Sequence, residues 1–121
     1  MVKNTFPGRV QQMVEKKAAN QKRLSEEAPE LVEGFSSLMN AYYRTSALDT
    51  RYKELIAVAL SISGCCIPCL AVHAKNAVDA GATREEIIDA AKIAVQFGGG
   101  PSFVLIRNNL LDILDEIAPA E

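Results

Sequence analysis

The sequence has few cysteines, few aromatic residues and almost no histidine. Its 121 residues contain no tryptophan, one histidine and three cysteines, and aromatic residues make up only 6% of the chain. All three cysteines lie between positions 65 and 69, so they cannot link distant segments as the disulfides of a secreted scaffold do. Because Ala, Leu, Ile and Val supply most of the apolar content, we predict closely packed helices.

Neither sign of charge dominates the sequence. The 13 Lys and Arg residues are interspersed with 15 Asp and Glu residues, for a net charge of -2, which argues against a nucleic-acid partner. No apolar run reaches bilayer length, and residues 1–9 lack the apolar core of a signal peptide. We therefore predict a soluble, cytoplasmic protein that binds neither nucleic acids nor membranes, with a single domain over residues 1–121.

Apolar periodicity and helix start and stop signals predict about six helices, with no convincing strand. Asp49 is a candidate N-cap, with Thr50 as the alternative, and Thr83 and Glu86 match a capping box. Gly64 is predicted to end a helix, because glycine adopts the left-handed conformation that closes one. The predicted helices cover approximately residues 9–24, 29–45, 50–63, 66–80, 83–97 and 101–114.

The same periodicity predicts which helix faces are buried. The third helix is almost entirely apolar between residues 55 and 62, so we expect it to be buried on all sides. The first should be a surface helix with Lys16 and Lys17 in solvent. We expect Cys65 to be a small buried residue. Tyr42 and Tyr43 could line a pocket or simply pack, and packing is the interpretation that we favour. The second helix is predicted to face inward with Leu31, Val32, Phe35, Leu38, Met39 and Tyr42.

Chemistry is concentrated in a Cys-x-x-Cys pair, Cys66 and Cys69, followed by the only histidine, His73. On a helix, these three side chains fall within an arc of about 60°. Two thiols at this spacing can close a small disulfide, and the N-terminus of a helix stabilises a thiolate. Because Cys69 and His73 are four residues apart, His73 is the natural base for Cys69.

Glu54 is predicted to complete this group. A short connection at Gly64 favours an antiparallel helical hairpin, and Glu54 and His73 lie at nearly equal distances from it, roughly 14 Å at the helical rise. A carboxylate beside an apolar helix is costly to bury alone, and an imidazole is the obvious partner. We therefore predict a proton relay from Glu54 through His73 to the thiols.

Glu54 is followed by eleven residues, then by Cys66-x-x-Cys69, and then by three residues and His73. This spacing resembles the active-site signature of the alkylhydroperoxidase AhpD family. That family belongs to the carboxymuconolactone decarboxylase-like superfamily. The resemblance runs from about residue 48 to residue 101 and therefore covers about half of the chain.

The resemblance implies an all-α fold, assembly into trimers or hexamers, and a peroxidase cycle in which Cys69 is peroxidatic and Cys66 resolving. A dithiol donor, such as a lipoylated protein, would reduce the disulfide. The best-known members have a histidine between the cysteines, where this chain has Ile67 and Pro68, so part of their proton relay is missing. Thioredoxin-like motifs would favour Cys66 as the attacking thiol, but the spacing to His73 favours Cys69.

Other chemistries stay open at this point. The thiol pair could exchange disulfides, or the protein could be a non-redox relative that binds a ligand or transfers protons. Zinc could use Cys66, Cys69 and His73, but a fourth ligand is lacking. The glycines of segment 98–101 are predicted to break the chain, and the lysine and Ser/Thr pattern of a phosphate loop does not follow them. We predict no bound cofactor and no metal.

Overall fold

Helices account for nearly all regular structure in the computed structural model, which describes residues 8–121. The prediction about a signal peptide falls mainly on residues 1–7, outside the described residues. No strand occurs within residues 8–121, so the predicted all-α class is confirmed. The elements are α1 (Arg9–Glu27), α2 (Pro29–Tyr43), α3 (Thr50–Ser63), α4 (Ile67–Asp79), α5 (Arg84–Leu105), a π-helical turn (Ile106–Leu110) and α6 (Leu111–Ile117).

Local capping explains where the central helices begin. The Asp49 side chain accepts a hydrogen bond from the Tyr52 N–H at 3.2 Å, so Asp49 is the N-cap of α3. At the start of α5, the predicted capping box is present, with Thr83 and Glu86 each accepting from the other's backbone N–H. Gly64 ends α3 as predicted, but not in the predicted left-handed conformation: its φ is -84°, and the next residue, Cys65, has the positive φ of 56°.

Helix α3 packs against both α4 and α5 and forms the centre of the fold. The short connection after α3 folds α4 back as an antiparallel hairpin. Alanines on α4 and α5 let the helices approach closely, and larger aliphatic side chains fill the remaining space. The fully buried core residues include Val58, Ile62, Leu70, Ala71, Ala74, Ala77, Ile87, Ala91, Leu110 and Leu114.

The predicted break at residues 98–101 is a kink within α5. Gly99 has φ 63° and ψ -143°, which is not helical, and the helix resumes immediately afterwards. Gly98 is required for a different reason, because the Ser102 Oγ occupies the position that a Cβ on Gly98 would take. The predicted final helix therefore corresponds to the end of α5, the π-helical turn and α6.

Two predictions about burial are wrong for this chain. Helix α2 has no buried residue, and Leu31, Phe35 and Leu38 are more than half exposed, because α2 packs mainly on α1. Helix α3 is buried on only one side. Its Ile56 and Leu60 are 48% and 64% exposed, because α4 and α5 cover the opposite face and no other helix of residues 8–121 covers this one.

None of the helices in residues 8–121 combines the length and the apolar character that crossing a membrane would require.

Candidate functional site

The α3–α4 hairpin brings Glu54 and His73 into direct contact. The Nδ1 of His73 lies 2.7 Å from Oε2 of Glu54, and the two side chains are only 17% and 6% exposed. An ionised carboxylate can only accept hydrogen bonds, so Nδ1 carries the proton and donates it. The other ring nitrogen, Nε2, is then an acceptor in the neutral imidazole.

Asn76 helps to satisfy the charge of Glu54. Its Nδ2 donates to Oε1 of Glu54 at 3.4 Å, so each carboxylate oxygen has a donor. Asn76 lies three residues after His73, on the same face of α4. Two donors offset part of the cost of holding a buried carboxylate.

Tyr43, the last residue of α2, contacts the far side of the imidazole. Its hydroxyl lies 3.5 Å from Nε2 of His73, and the two rings stack with centroids 5.5 Å apart. Burial of the Tyr43 hydroxyl is the main cause that raises its pKa. The negative charge of Glu54 and the nearby Tyr42 raise this pKa further. The hydroxyl therefore keeps its proton near neutral pH and donates it toward Nε2, which extends the chain from Glu54 through His73 by one group.

Cys66 and Cys69 form a disulfide at the start of α4, with their Cα atoms 5.3 Å apart. Cys66 is the N-cap residue, and its Sγ accepts a hydrogen bond from the Cys69 N–H at 3.3 Å. Cys69 is exposed, whereas Cys66 is half-buried. Within the described part of the chain, no hydrogen bond joins Cys69 to His73 in this oxidised form, although the two residues line the same pocket.

That pocket has a volume of about 540 Å³ and lies between α1, α2 and α4. Cys69, His73 and Asn76 form one side of it. The remaining wall is mostly apolar, apart from polar residues of α1. The other lining residues are Met13, Lys16, Lys17, Asn20, Phe35, Met39, Pro68 and Val72.

The structure places all four predicted site residues in one region: Cys66 and Cys69 lie at the helix start, His73 lines the pocket, and Glu54 lies behind His73. It corrects the prediction for Cys65, which is exposed in the turn before α4 with a φ of 56°. A residue in that turn has no neighbouring helix to bury it.

The sequence pattern does not reveal the contributions of four residues. Asn76 could have been found from its helical spacing to His73. Tyr43 contacts the imidazole, which the packing interpretation does not predict. Lys16 and Lys17 are exposed, as expected, but they also line the pocket. These positions depend on how α1 and α2 dock against α4, for which local patterns carry no signal.

The region is not arranged as a metal site. Within residues 8–121, no group of three or more His, Cys, Asp or Glu side chains is placed to hold a metal ion.

Comparisons with known proteins agree on one family. The sequence model of the carboxymuconolactone decarboxylase family matches residues 29–108. An uncharacterised protein of Cupriavidus necator is 35% identical over 78 residues, which are 64% of this chain and 69% of that protein. An uncharacterised protein encoded in the cox locus of Paracoccus denitrificans is 36% identical over 85 residues, covering 70% of this chain and 76% of its own.

Solved structures show the same similarity. The apo form of a carboxymuconolactone decarboxylase family protein from Legionella pneumophila has a TM-score of 0.80 and 34% identity, covering 91% of this chain and 95% of its own. A family member from Thermotoga maritima, for which a part in the antioxidative response has been suggested, has a TM-score of 0.76 and 28% identity. That comparison covers 86% of this chain and 88% of the Thermotoga protein.

Proposed function

Because this chain belongs to the carboxymuconolactone decarboxylase family, we propose that it is a thiol peroxidase that reduces organic hydroperoxides. The observation that carries the proposal is the Cys66–Cys69 disulfide at the edge of a pocket that His73 also lines, with Glu54 bonded behind the imidazole. The antioxidative role suggested for the Thermotoga relative supports the same chemistry.

In the first step, Cys69 attacks the hydroperoxide. The Cys69 thiol passes its proton to His73 Nε2, and the thiolate attacks the terminal oxygen of ROOH. The O–O bond breaks, the sulfur becomes a sulfenic acid, and the alkoxide takes the proton back from His73 and leaves as ROH. The exposure of Cys69 supports its role as the peroxidatic thiol, since substrate must reach it.

In the second step, Cys66 resolves the sulfenic acid. Its thiolate attacks the Cys69 sulfur, the S–OH bond breaks, and the hydroxyl leaves as water with the proton that Cys66 gave up. The Cys66 Sγ already accepts the Cys69 N–H at the helix start, an environment that stabilises a thiolate. The product is the disulfide seen in the structure.

An external dithiol returns the protein to its reduced form. One donor thiolate attacks the exposed Cys69 sulfur, Cys66 leaves as a thiolate, and the second donor thiol displaces Cys69 from the mixed disulfide. The donor is thereby oxidised to its own disulfide. A lipoylated protein is the donor that resemblance to the AhpD family implies.

The apolar face that α3 and α5 leave uncovered supports a homo-oligomer, a trimer or a hexamer by the same resemblance. It forms a groove of about 730 Å³ in which Leu60, Ile93 and Phe97 are 64%, 59% and 79% exposed. Apolar patches of this kind on a monomer often mark protein interfaces.

The test is the mass of the reduced, metal-free protein before and after one equivalent of cumene hydroperoxide. We expect the wild type to lose two hydrogens, mapped to Cys66 and Cys69. In Cys66→Ser the sulfenic acid should persist on Cys69 and be captured by dimedone, and Cys69→Ser should form neither product. Unchanged thiols in the wild type would overturn the peroxidase proposal, and a disulfide that still exchanged with added dithiols would then favour an oxidoreductase without peroxide chemistry.

A further inference from the structure

The pocket beside Cys69 combines an apolar wall with two lysines. Met13, Phe35, Met39 and Val72 supply apolar surface, and α1 adds Lys16, Lys17 and Asn20. We propose that this pocket takes an amphipathic hydroperoxide with an acid group, that Lys16 and Lys17 bind the acid, and that the apolar chain places the hydroperoxide at Cys69. This inference rests on the proposed peroxidase function and names its substrate class.

The lysines belong to the pocket through the packing of α1. Met13, Lys16, Lys17 and Asn20 follow the i, i+3, i+4, i+7 spacing of one helix face. On α4, the residues Cys69, Val72, His73 and Asn76 follow the same spacing and line the opposite side. Two helix faces therefore border the space between the lysines and the thiol, and Phe35 and Met39 of α2 complete the lining of a pocket that is open to solvent.

The ammonium groups of Lys16 and Lys17 form no ion pair within the described part of the chain. Lys75 and Lys92 do form ion pairs there, with Asp79 at 2.8 Å and with Asp89 at 2.9 Å, whereas Lys22, which is exposed and does not line the pocket, forms none. Neither Lys16 nor Lys17 has a hydrogen bond or ion pair with a described residue.

No acidic side chain lines the pocket within residues 8–121, and the nearest carboxylate of the site, Glu54, lies bonded to His73 and Asn76. The two ammonium groups are therefore the strongest local charges facing a ligand. They select an anion.

The apolar residues determine what kind of anion can fit. A volume of about 540 Å³ is within the range of small-molecule sites, which are mostly apolar with a few placed polar groups. A small inorganic anion would leave Met13, Phe35 and Met39 against water. An amphipathic acid covers them and gains from burial of its chain.

The test compares the hydroperoxide of an unsaturated fatty acid with the hydroperoxide of its methyl ester, both below micelle-forming concentrations. The pair differs in the negative charge and in one methyl group. For the wild type, we expect kcat/KM to be about fivefold higher for the acid than for the ester, mainly through KM, as two partly exposed ion pairs would produce. In Lys16→Gln/Lys17→Gln, kcat/KM for the acid should fall to the level that the same variant shows for the ester.

The matched control is Lys22→Gln/Lys92→Gln. It removes the same number of positive charges at exposed positions that do not line the pocket, and it keeps Arg23, which donates to the pocket residue Asn20 at 3.3 Å. We expect it to keep the preference for the acid. If the control loses the preference equally, or if the wild type reduces acid and ester equally while remaining an active peroxidase, the proposal is overturned.

A binding measurement separates this proposal from the proposed function. If the wild type reduces neither hydroperoxide, calorimetry with the unoxidised fatty acid and its methyl ester decides the ligand class without any turnover. Tighter binding of the acid, lost in Lys16→Gln/Lys17→Gln and kept in the control, would support an amphipathic-anion site in a protein that is not a peroxidase. Equal binding of acid and ester, or binding of neither, would overturn the inference.

Discussion

His73 donates its Nδ1 proton to Oε2 of Glu54 across 2.7 Å, although the two residues are 19 positions apart in the sequence. This contact holds the imidazole in one orientation and leaves Nε2 as the acceptor, 3.5 Å from the Tyr43 hydroxyl. It also keeps a negative charge next to the ring whenever the ring gains a second proton. The contact is therefore the basis for expecting base catalysis at Cys69.

Replacing Glu54 with glutamine should slow the oxidation of Cys69. The amide keeps the shape and an acceptor oxygen, but it removes the charge that stabilises the imidazolium. We expect the rate constant for thiol oxidation by cumene hydroperoxide, measured by stopped flow, to fall by about 10- to 100-fold. The control is Glu85→Gln, an exposed carboxylate in the first turn of α5. Equal rates in wild type and Glu54→Gln would remove Glu54 from the mechanism.

Removing the Tyr43 hydroxyl should have a smaller effect. Tyr43→Phe keeps the stacked ring but leaves Nε2 of His73 without that donor. We expect a change in rate of roughly threefold, which corresponds to one neutral hydrogen bond of about 0.7 kcal/mol. Because that nitrogen then faces only the thiol and water, the sign of the change shows whether Tyr43 supports or competes with Cys69. Tyr42→Phe, an exposed neighbour, should leave the rate unchanged, and an identical rate in Tyr43→Phe would show that the hydroxyl has no part.

Alkylation of the oxidised protein should modify Cys65 alone. Cys65 is free and exposed, whereas Cys66 and Cys69 are joined in the disulfide. Intact mass after iodoacetamide should therefore show one added group per chain before reduction and three after reduction with dithiothreitol. Cys65→Ser should show none and two, and it should keep the full peroxide reaction. A failure of Cys65→Ser to form the disulfide would bring Cys65 into the redox cycle.

A charge in the groove of α3 and α5 should disrupt the proposed homo-oligomer. Phe97 is 79% exposed and lines that groove, so Phe97→Glu would place an unpaired carboxylate in an apolar interface. Light scattering after gel filtration should show a smaller species. Gln96→Glu adds the same charge one residue earlier, at an exposed position outside the groove, and should keep the wild-type mass. Identical masses for all three proteins would show that this groove is not the interface.

Gly98→Ala should destabilise the fold. The added methyl group would collide with the Oγ of Ser102, which is fully buried and has no hydrogen-bond partner among the described residues. We expect a loss of about 1–3 kcal/mol in the free energy of unfolding, measured with urea. The loss should be smaller when the alanine is added to Ser102→Ala. Gly100→Ala meets nothing within 4 Å and should stay within about 0.5 kcal/mol of wild type.

Several features of the fold could be predicted because they depend on neighbours in sequence. Asp49 and Thr83 cap helices through side chains that reach amides three residues away. The break near Gly99 follows from a conformation with positive φ that glycine adopts most readily. The prediction that α2 faces inward was wrong. An apolar face does not show which surface it packs against, and among the described helices α1 is the main neighbour of α2 and buries none of its residues.

The candidate site divides in the same way. Residue order sets the spacing of Cys66, Cys69 and His73 at the start of α4, and the matched distances of Glu54 and His73 from the Gly64 turn, because helical rise and rotation are constant. The contact of Tyr43 with the imidazole and the position of Lys16 at the pocket arise only when the helices pack together. Those contacts depend on the angle and register at which separate helices pack, which are set by the whole core rather than by any local pattern.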